Sequence, residues 1–380
     1  MDEPLRTRTL LHVFTGFGIG GAQVRFTAVA NHFGRHYRHL IVSMNPDQTA
    51  RERLADGLDI GFPAVPVRQG ETLGNLRPFR RALRALAPDV LVTHNWGSMD
   101  WAIANLAARV RHIHIEDGFG PDERDRQIRR RVLTRRLILR QSTVVLPSRT
   151  LERIATDIWR LPRRRLRYIP NGIDLSRFAA APDPAVAARF SGEGPVIGAV
   201  TGLRPEKALD RLLRAFASLA RPTRLVIVGD GPERGKLTQL AADLGVAKRV
   251  SFTGHVAQPA SLYAGFDIFA LSSDTEQMPL SVIEAMAAGL PVAATEVGDV
   301  ALMLAPENAA FIGPKEDQAL ARSLDALLAD PERRALIGAA NRAKAARDYD
   351  ETAMFAAYGA LFDGADAGPD TGPCRHARKA

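Results

Sequence analysis

The chain has 380 residues, 46% of them hydrophobic and 24% charged, which fits an ordinary soluble globular protein of two or three domains. Its one cysteine, Cys374, excludes a disulfide framework and fits a reducing cytosol. No run of about 18 apolar residues occurs, and the apolar stretch starting at Leu10 is too short for a signal peptide, so a cytoplasmic protein is expected. The net charge of +9 is local: Arg124–Arg140 carries +7 and Arg160–Arg167 carries +5, leaving the remainder at −3.

Short β-branched apolar runs alternate with helical patterns, which predicts parallel α/β architecture. The strands expected in the first half are Leu10–Phe14, His39–Met44, Asp89–Thr93, His112–Ile115, Thr143–Leu146 and Leu166–Ile169. Ala179–Pro195, rich in proline and alanine, reads as a linker with a short helix. The rhythm then restarts with Val196–Val200, Arg224–Val228, Val250–Phe252, Asp267–Leu271, Pro291–Ala294 and Ala310–Ile312. The expectation is two Rossmann-like doubly wound domains facing across a cleft, covering residues 1–180 and 190–348. A terminal helix over 349–363, packing back on the first domain, and a disordered tail over 364–380 complete the expected organisation. In such sheets ligands sit beyond the carboxyl ends of the strands.

The loop after the first expected strand reads Gly16-Phe-Gly18-Ile-Gly20-Gly21 and satisfies the spacing G-x-G-x-x-G through Gly16, Gly18 and Gly21. An NAD(P)-dependent oxidoreductase is therefore one reading, but it needs an acid at the end of the second strand for the ribose. That region reads Ile41-Val-Ser-Met-Asn45-Pro46, with no acid before Asp47. A second phosphate candidate is Thr201-Gly-Leu-Arg204-Pro-Glu-Lys207, where Arg204 and Lys207 follow a strand and can neutralise a diphosphate. Two solvated basic side chains in a helix-initiating loop are the plainer alternative.

The richest stretch runs from Ser272 to Gly289 and holds Glu276 and Glu284 with seven residues between them. A helix starting near Pro279 and ending by Gly289 aims its free N–H groups, those of Leu280 and Ser281, at an anion. Glu284 suits a ribose, accepting from both hydroxyls. Equally, Ser281-x-x-Glu284 matches a capping box that only finishes a helix end.

This stretch resembles the Glu-x7-Glu signature of the family 4 retaining glycosyltransferases, which have the two-domain GT-B fold. Gly20-Gly21-Ala22 resembles that family's first glycine loop, and Asn171-Gly-Ile-Asp174 its turn before the interdomain linker. Arg204-Pro-Glu-Lys207, Val228-Gly-Asp-Gly-Pro-Glu233, Phe252-Thr-Gly-His255 and Pro291-Val-Ala-Ala-Thr resemble the ordered landmarks of its donor domain. The resemblance implies a sugar transfer from a nucleoside diphosphate, UDP or GDP, to a glycan or lipid-linked acceptor in cell-envelope polysaccharide, lipopolysaccharide or glycolipid synthesis. It assigns Glu276 to the transferred sugar, Glu284 to the ribose and Lys207 to the phosphates, with no cofactor beyond the nucleotide sugar and no metal.

Two departures stand out. The arginine that many members carry five residues before the lysine is Gly202 here, which leaves Arg204 to replace it. The histidine that members place near the sugar has two candidates in His112-Ile-His114-Ile-Glu-Asp117-Gly118, namely His114 and Asp117. A buried, hydrogen-bonded structural role for His114 stands beside the catalytic one, and His94 is a further candidate with a weaker claim. The one D-x-D, Asp348-Tyr-Asp350, lies far in sequence from these loops and reads as chance.

The stretch Arg124–Arg140 resembles a basic amphipathic helix, which suits docking on an anionic membrane or a plain solvated face. Nucleic acid is the third reading and the one least favoured, because no aromatic residue lies among those arginines to stack bases.

Overall fold

The computed structural model describes residues 7–123, 126–178, 194–256 and 259–364. Most of the expected linker Ala179–Pro195, the tail beyond Gly364, and Arg124 lie outside the described residues. The chain divides into two compact units, one running to Pro170 and taken up again from Met354, the other starting at Asn171 and running to Ala353.

The first unit is built on a parallel sheet of β1 (Arg8–Phe14), β2 (Tyr37–Ser43), β3 (Ile60–Gly61), β4 (Val90–His94), β5 (Arg111–Ile115), β6 (Thr143–Leu146) and β7 (Leu166–Tyr168). Their spatial order is β3-β2-β1-β4-β5-β6-β7. The two-residue β3 has no counterpart among the strands expected from sequence. Alternate residues of each strand enter opposite faces. Leu10, Val92 and Ile113 pack with Met354, Phe355 and Phe362 of the helix Glu351–Asp363. Leu11 and Leu91 pack on the other face with Phe79, Leu83 and Trp101.

The second unit repeats the pattern with β8 (Val196–Val200), β9 (Arg224–Val228), β10 (Val250–Phe252), β11 (Ile268–Leu271), β12 (Val292–Thr295) and β13 (Ile312–Gly313). The order here is β10-β9-β8-β11-β12-β13. Val196, Val226 and Phe269 enter one apolar layer with Val282, Ile283 and Met286 of the helix Leu280–Ala287. Ile197, Leu225 and Ile268 enter the other with Leu212, Leu213 and Phe216 of the helix Leu209–Ala217. Burial of both faces by helices is what a parallel sheet requires, and it explains the unbroken apolar runs in the sequence.

In each sheet the connections reverse direction between two neighbouring strands, β1 and β4 in the first unit, β8 and β11 in the second. The loops leaving those strands flank the crevice in which a doubly wound sheet takes its ligand. They contain Gly16–Gly21, His94–Asn95, Thr201–Lys207 and Ser272–Glu276.

The first unit also buries an unusual number of imidazoles. His39 Nδ1 lies 3.2 Å from His12 Nε2, and His12 Nδ1 lies 3.4 Å from His94 Nε2, a row crossing β2, β1 and β4. His112 sits between Thr93 Oγ1 at 2.8 Å and Ser142 Oγ at 2.7 Å. Burial pushes His39 down to about 4 and His112 to about 3, the latter helped by His114. Burial, then the neighbouring imidazoles, also lowers His12; burial, then Arg25 and His114, lowers His94. The folded protein thus binds fewer protons than the unfolded chain below about pH 6.5. Stability from these groups is present above that pH and is lost as pH falls, with each neutral imidazole adding about 1.4 kcal/mol per pH unit to the slope. All three tryptophans, Trp96, Trp101 and Trp159, belong to this unit, so their fluorescence reports its unfolding. Urea titrations followed at the tryptophans should show a marked loss of stability between pH 7 and pH 5. His39→Leu should flatten that slope by about one imidazole's share.

Candidate functional site

In the second unit the sequence-predicted residues gather at the carboxyl ends of β8 and β11. Lys207 Nζ and Glu276 Oε1 form an ion pair of 2.6 Å although 69 residues separate them, and both side chains are largely buried. Ser273 Oγ donates to the same Glu276 oxygen at 2.8 Å. The loops carrying the pair are zipped together by Ser272 Oγ donating to the Lys207 carbonyl and Asp274 N–H donating to the Glu206 carbonyl, both at 2.9 Å. Arg211, on the first turn of the helix Leu209–Ala217, binds the Ser272 carbonyl at 2.6 Å and Asp274 Oδ1 at 2.8 Å. Lys207 is followed by Ala208, whose φ of 44° and ψ of 46° are left-handed, a strained turn that re-aims the chain into the helix.

Two glycines allow these loops to close. A Cβ on Gly298, at φ +53°, would collide with the Glu276 carbonyl, and one on Gly229, at φ +136°, with the Thr201 carbonyl. From below, Thr295 Oγ1 donates to the Ser273 carbonyl at 2.6 Å. Asn171 Nδ2 donates to the Met278 carbonyl at 2.9 Å, just ahead of the helix Leu280–Ala287.

That helix takes Pro279 as its N-cap, with no side-chain cap. Ser281 is therefore the second helical residue and cannot serve as the N-cap of a capping box, so the spacing Ser281-x-x-Glu284 has a different meaning here. The Glu284 carboxylate instead accepts from the Tyr263 hydroxyl at 2.5 Å. Burial, reinforced by Glu284, holds the Tyr263 phenol well above its ordinary value, so it remains a donor. Leu280 and Ser281 present their backbone N–H groups in the uncapped first turn. Arg204 is exposed, paired with Glu206 at 2.9 Å, and its Nε lies 3.6 Å from the point where a Cβ on Gly202 would stand.

The first unit brings its candidates to the ends of β1, β4 and β5. Gly20 caps the helix Gly21–Phe33 through backbone alone, and Gly21 is exposed with open space around its Cα. Asp47, the acid that follows the second strand, accepts from the N–H and hydroxyl of Thr49, both at 3.1 Å, and so closes a turn beyond the strand. His114 is wholly buried, with Nδ1 2.8 Å from Thr93 Oγ1 and Nε2 3.4 Å from Glu116 Oε2. Asp117 is partly exposed: Oδ1 pairs with Arg25 Nη1 at 2.5 Å, and its N–H donates to Asn95 Oδ1 at 2.6 Å. His94 is buried and stacks on Phe14 at 3.8 Å. The two aspartates of the D-x-D are occupied locally: Asp348 pairs with Lys344 at 2.7 Å and Arg347 at 2.8 Å, and Asp350 accepts from the Thr352 N–H at 2.8 Å.

The basic stretch forms the helix Arg129–Ile138, but not all of its arginines face outward. Arg135 is fully buried, forked onto both Glu123 oxygens at 3.2 and 3.1 Å and onto Glu116 at 3.1 Å. Its guanidinium lies about 5 Å from the rings of Trp96 and Trp159, at 4.9 and 5.0 Å. Arg131 pairs with Asp122 and Glu123. The outward face is left with Arg129, Arg130, Arg136 and Arg140 around Leu133 and Leu137, which are 56% and 62% exposed.

Comparison with known proteins bears on the family and the fold. Residues 19–177 fit the family profile described as Glycosyltransferase Family 4, and residues 186–344 the profile Glycosyl transferases group 1. A GDP-mannose-dependent alpha-(1-6)-phosphatidylinositol monomannoside mannosyltransferase of Mycolicibacterium smegmatis is 35% identical over 200 residues, 48% of this chain and 52% of its own length. A D-inositol 3-phosphate glycosyltransferase of Nocardia farcinica is 29% identical over 276 residues, 64% of this chain and 60% of its own. The chain thus spans only about half to three-fifths of the length of these relatives. Among solved structures, Anabaena HepE in complex with UDP and glucose superposes with a TM-score of 0.80 at 20% identity, covering 94% of this chain and all (100%) of that one. WaaG, a glycosyltransferase involved in lipopolysaccharide biosynthesis, superposes with a TM-score of 0.73 at 18% identity over 94% of this chain and 100% of its own. The fold is that of the GT-B glycosyltransferases, and with the two profiles following one another along most of the sequence, the chain belongs to the family 4 glycosyltransferases.

Proposed function

We propose that the protein transfers a sugar from a nucleoside diphosphate to an acceptor hydroxyl with retention at the anomeric carbon. The observation that carries this reading is the Lys207–Glu276 pair at the carboxyl ends of β8 and β11, in the same unit as the uncapped first turn before Glu284. The bond from the anomeric carbon to the diphosphate oxygen breaks, and a bond to the acceptor oxygen forms on the same face. The acceptor proton passes to the departing phosphate. Charge accumulating on that phosphate is met by Lys207, by the N–H groups of Leu280 and Ser281, and by Arg204, folded over Gly202 where many members have arginine. Glu276 then faces the sugar as Lys207 turns to the phosphate, and Glu284 holds the ribose in an orientation set by Tyr263.

With Glu284 committed to ribose, only one carboxylate of this unit serves the sugar, and a double displacement through two flanking carboxylates lacks its second member. Front-face departure and attack fits better. The relatives' GDP-mannose and the UDP of the HepE complex favour a UDP- or GDP-sugar as donor, and a glycolipid or glycan as acceptor. Of the N-domain candidates, Asp117 has the stronger claim to touch substrate, because His114 is sealed between Thr93 and Glu116.

Docking on an anionic membrane is part of the same reading, and it rests on the outward face of the helix Arg129–Ile138. Two exposed leucines flanked by arginines suit shallow insertion beneath anionic headgroups. No helix among the described residues is long and apolar enough to cross a membrane.

Glu284→Gln tests the ribose assignment. Glutamine retains a carbonyl acceptor for Tyr263, so the melting temperature of the unliganded protein should hardly move. Replacing charge-assisted bonds to the ribose should cost about 2–3 kcal/mol, a roughly 30- to 150-fold weaker Kd for UDP or GDP alone by calorimetry. Equal affinities would reduce Glu284 to a partner of Tyr263. For docking, flotation with phosphatidylserine-containing vesicles at low salt should carry the wild type. The triple change Arg129→Glu, Arg130→Glu, Arg136→Glu should abolish it with nucleotide affinity intact. A wild type that ignores such vesicles ends the docking idea.

A further inference from the structure

We infer that Asn95 is a positioning residue for Asp117, and that with Arg25 it fixes that carboxylate for a substrate hydroxyl; this rests on the glycosyl-transfer reading above. Asn95 directly follows β4, with φ 57° and ψ 178°, at the edge of a region that only glycine adopts without strain. Glycine there would be the undemanding choice for the backbone. What asparagine adds is its carboxamide, whose Oδ1 takes the Asp117 N–H at 2.6 Å. Its own N–H donates to the Ile115 carbonyl at 2.9 Å, so the strained turn of β4 is tied to both ends of the segment leaving β5.

The second tether comes from the helix after the glycine loop. Arg25, only 3% exposed, sets Nη1 against Asp117 Oδ1 at 2.5 Å, and Tyr358 of the terminal helix lies 6.0 Å below its guanidinium. One carboxylate oxygen is thereby held by a buried cation. The other, Oδ2, is buried and has no hydrogen-bond partner among the described residues. A buried carboxylate oxygen is costly to leave unmatched. Held from two directions just past the carboxyl end of β5, beside the crevice that the first sheet opens between β1 and β4, it is placed to accept from a hydroxyl of a substrate bound at that crevice. Strain kept at Asn95 in exchange for orientation of a neighbour is the usual signature of a built site.

The test measures turnover of UDP-glucose and GDP-mannose in wild type, Asn95→Gly, Asp117→Asn and the double variant. Asn95→Gly relieves the strained backbone while deleting the carboxamide. It should melt at or above the wild-type temperature, lose at least 10-fold in kcat, and keep its donor KM within about 2-fold. In the Asp117→Asn background the same change should cost nothing further, since it acts through Asp117. Full kcat in Asn95→Gly, or independent losses that multiply in the double variant, overturns the inference while leaving glycosyl transfer standing. Full kcat in Asp117→Asn also overturns it. A wild type that turns over neither donor removes the transferase reading first, and this inference with it.

Discussion

The donor side of this molecule depends on holding a lysine against a glutamate 69 residues away in sequence, with little water around either. Such a pair gives little net stability, because desolvation of both ions offsets most of their attraction. Losing one partner is a different matter, since the survivor is left as an uncompensated buried charge. The structure around the pair is accordingly devoted to geometry. Arg211, Asp274 and Ser272 lock the two loops together, Ala208 adopts a left-handed turn, and Gly298 and Gly229 let backbones pass where a side chain would collide. Among the described residues Lys207 is paired with one carboxylate, the partner that the proposed reaction has it exchange for a phosphate.

The first unit meets the same problem of buried polarity in two ways. Its imidazoles are kept neutral by burial, in a row from His39 through His12 to His94. Its buried ions are closely paired, Arg25 with Asp117 and Arg135 with Glu116 and Glu123. These choices separate along the sheet. His114 serves as a link between Thr93 and Glu116, while Asp117, three residues further on, has one oxygen with no hydrogen-bond partner among the described residues.

The strand plan was legible because a parallel sheet buried on both faces writes itself as short, mainly apolar runs, and twelve of the thirteen strands among the described residues were expected from such runs. The missing one, β3, is two residues in Asp59-Ile-Gly-Phe-Pro, where glycine and proline mask any apolar pattern. Lys207, Glu276 and Glu284 were legible through spacing and family resemblance, yet the residues that hold them and their loops in place were not. Tyr263, Arg211 and Asn171 act across tertiary contacts that no local pattern encodes. The capping-box reading of Ser281 and Glu284 failed on two residues of helix phase, because Pro279 takes the N-cap. The arginine-rich helix misled for a related reason. Its charge was read as surface charge, whereas Glu116, Asp122 and Glu123, all upstream of it, draw Arg131 and Arg135 inward.

The most direct test of the account is thermal stabilisation of the whole protein across UDP-, GDP-, ADP- and TDP-sugars, with NAD and NADP alongside and Lys207→Met as the matched control. At 100 times its Kd a true donor should stabilise the wild type by about 2.7 kcal/mol. The same concentration should stabilise Lys207→Met far less, because the diphosphate has lost its cation. Stabilisation by NAD or NADP with no response to any nucleotide sugar would contradict the account outright.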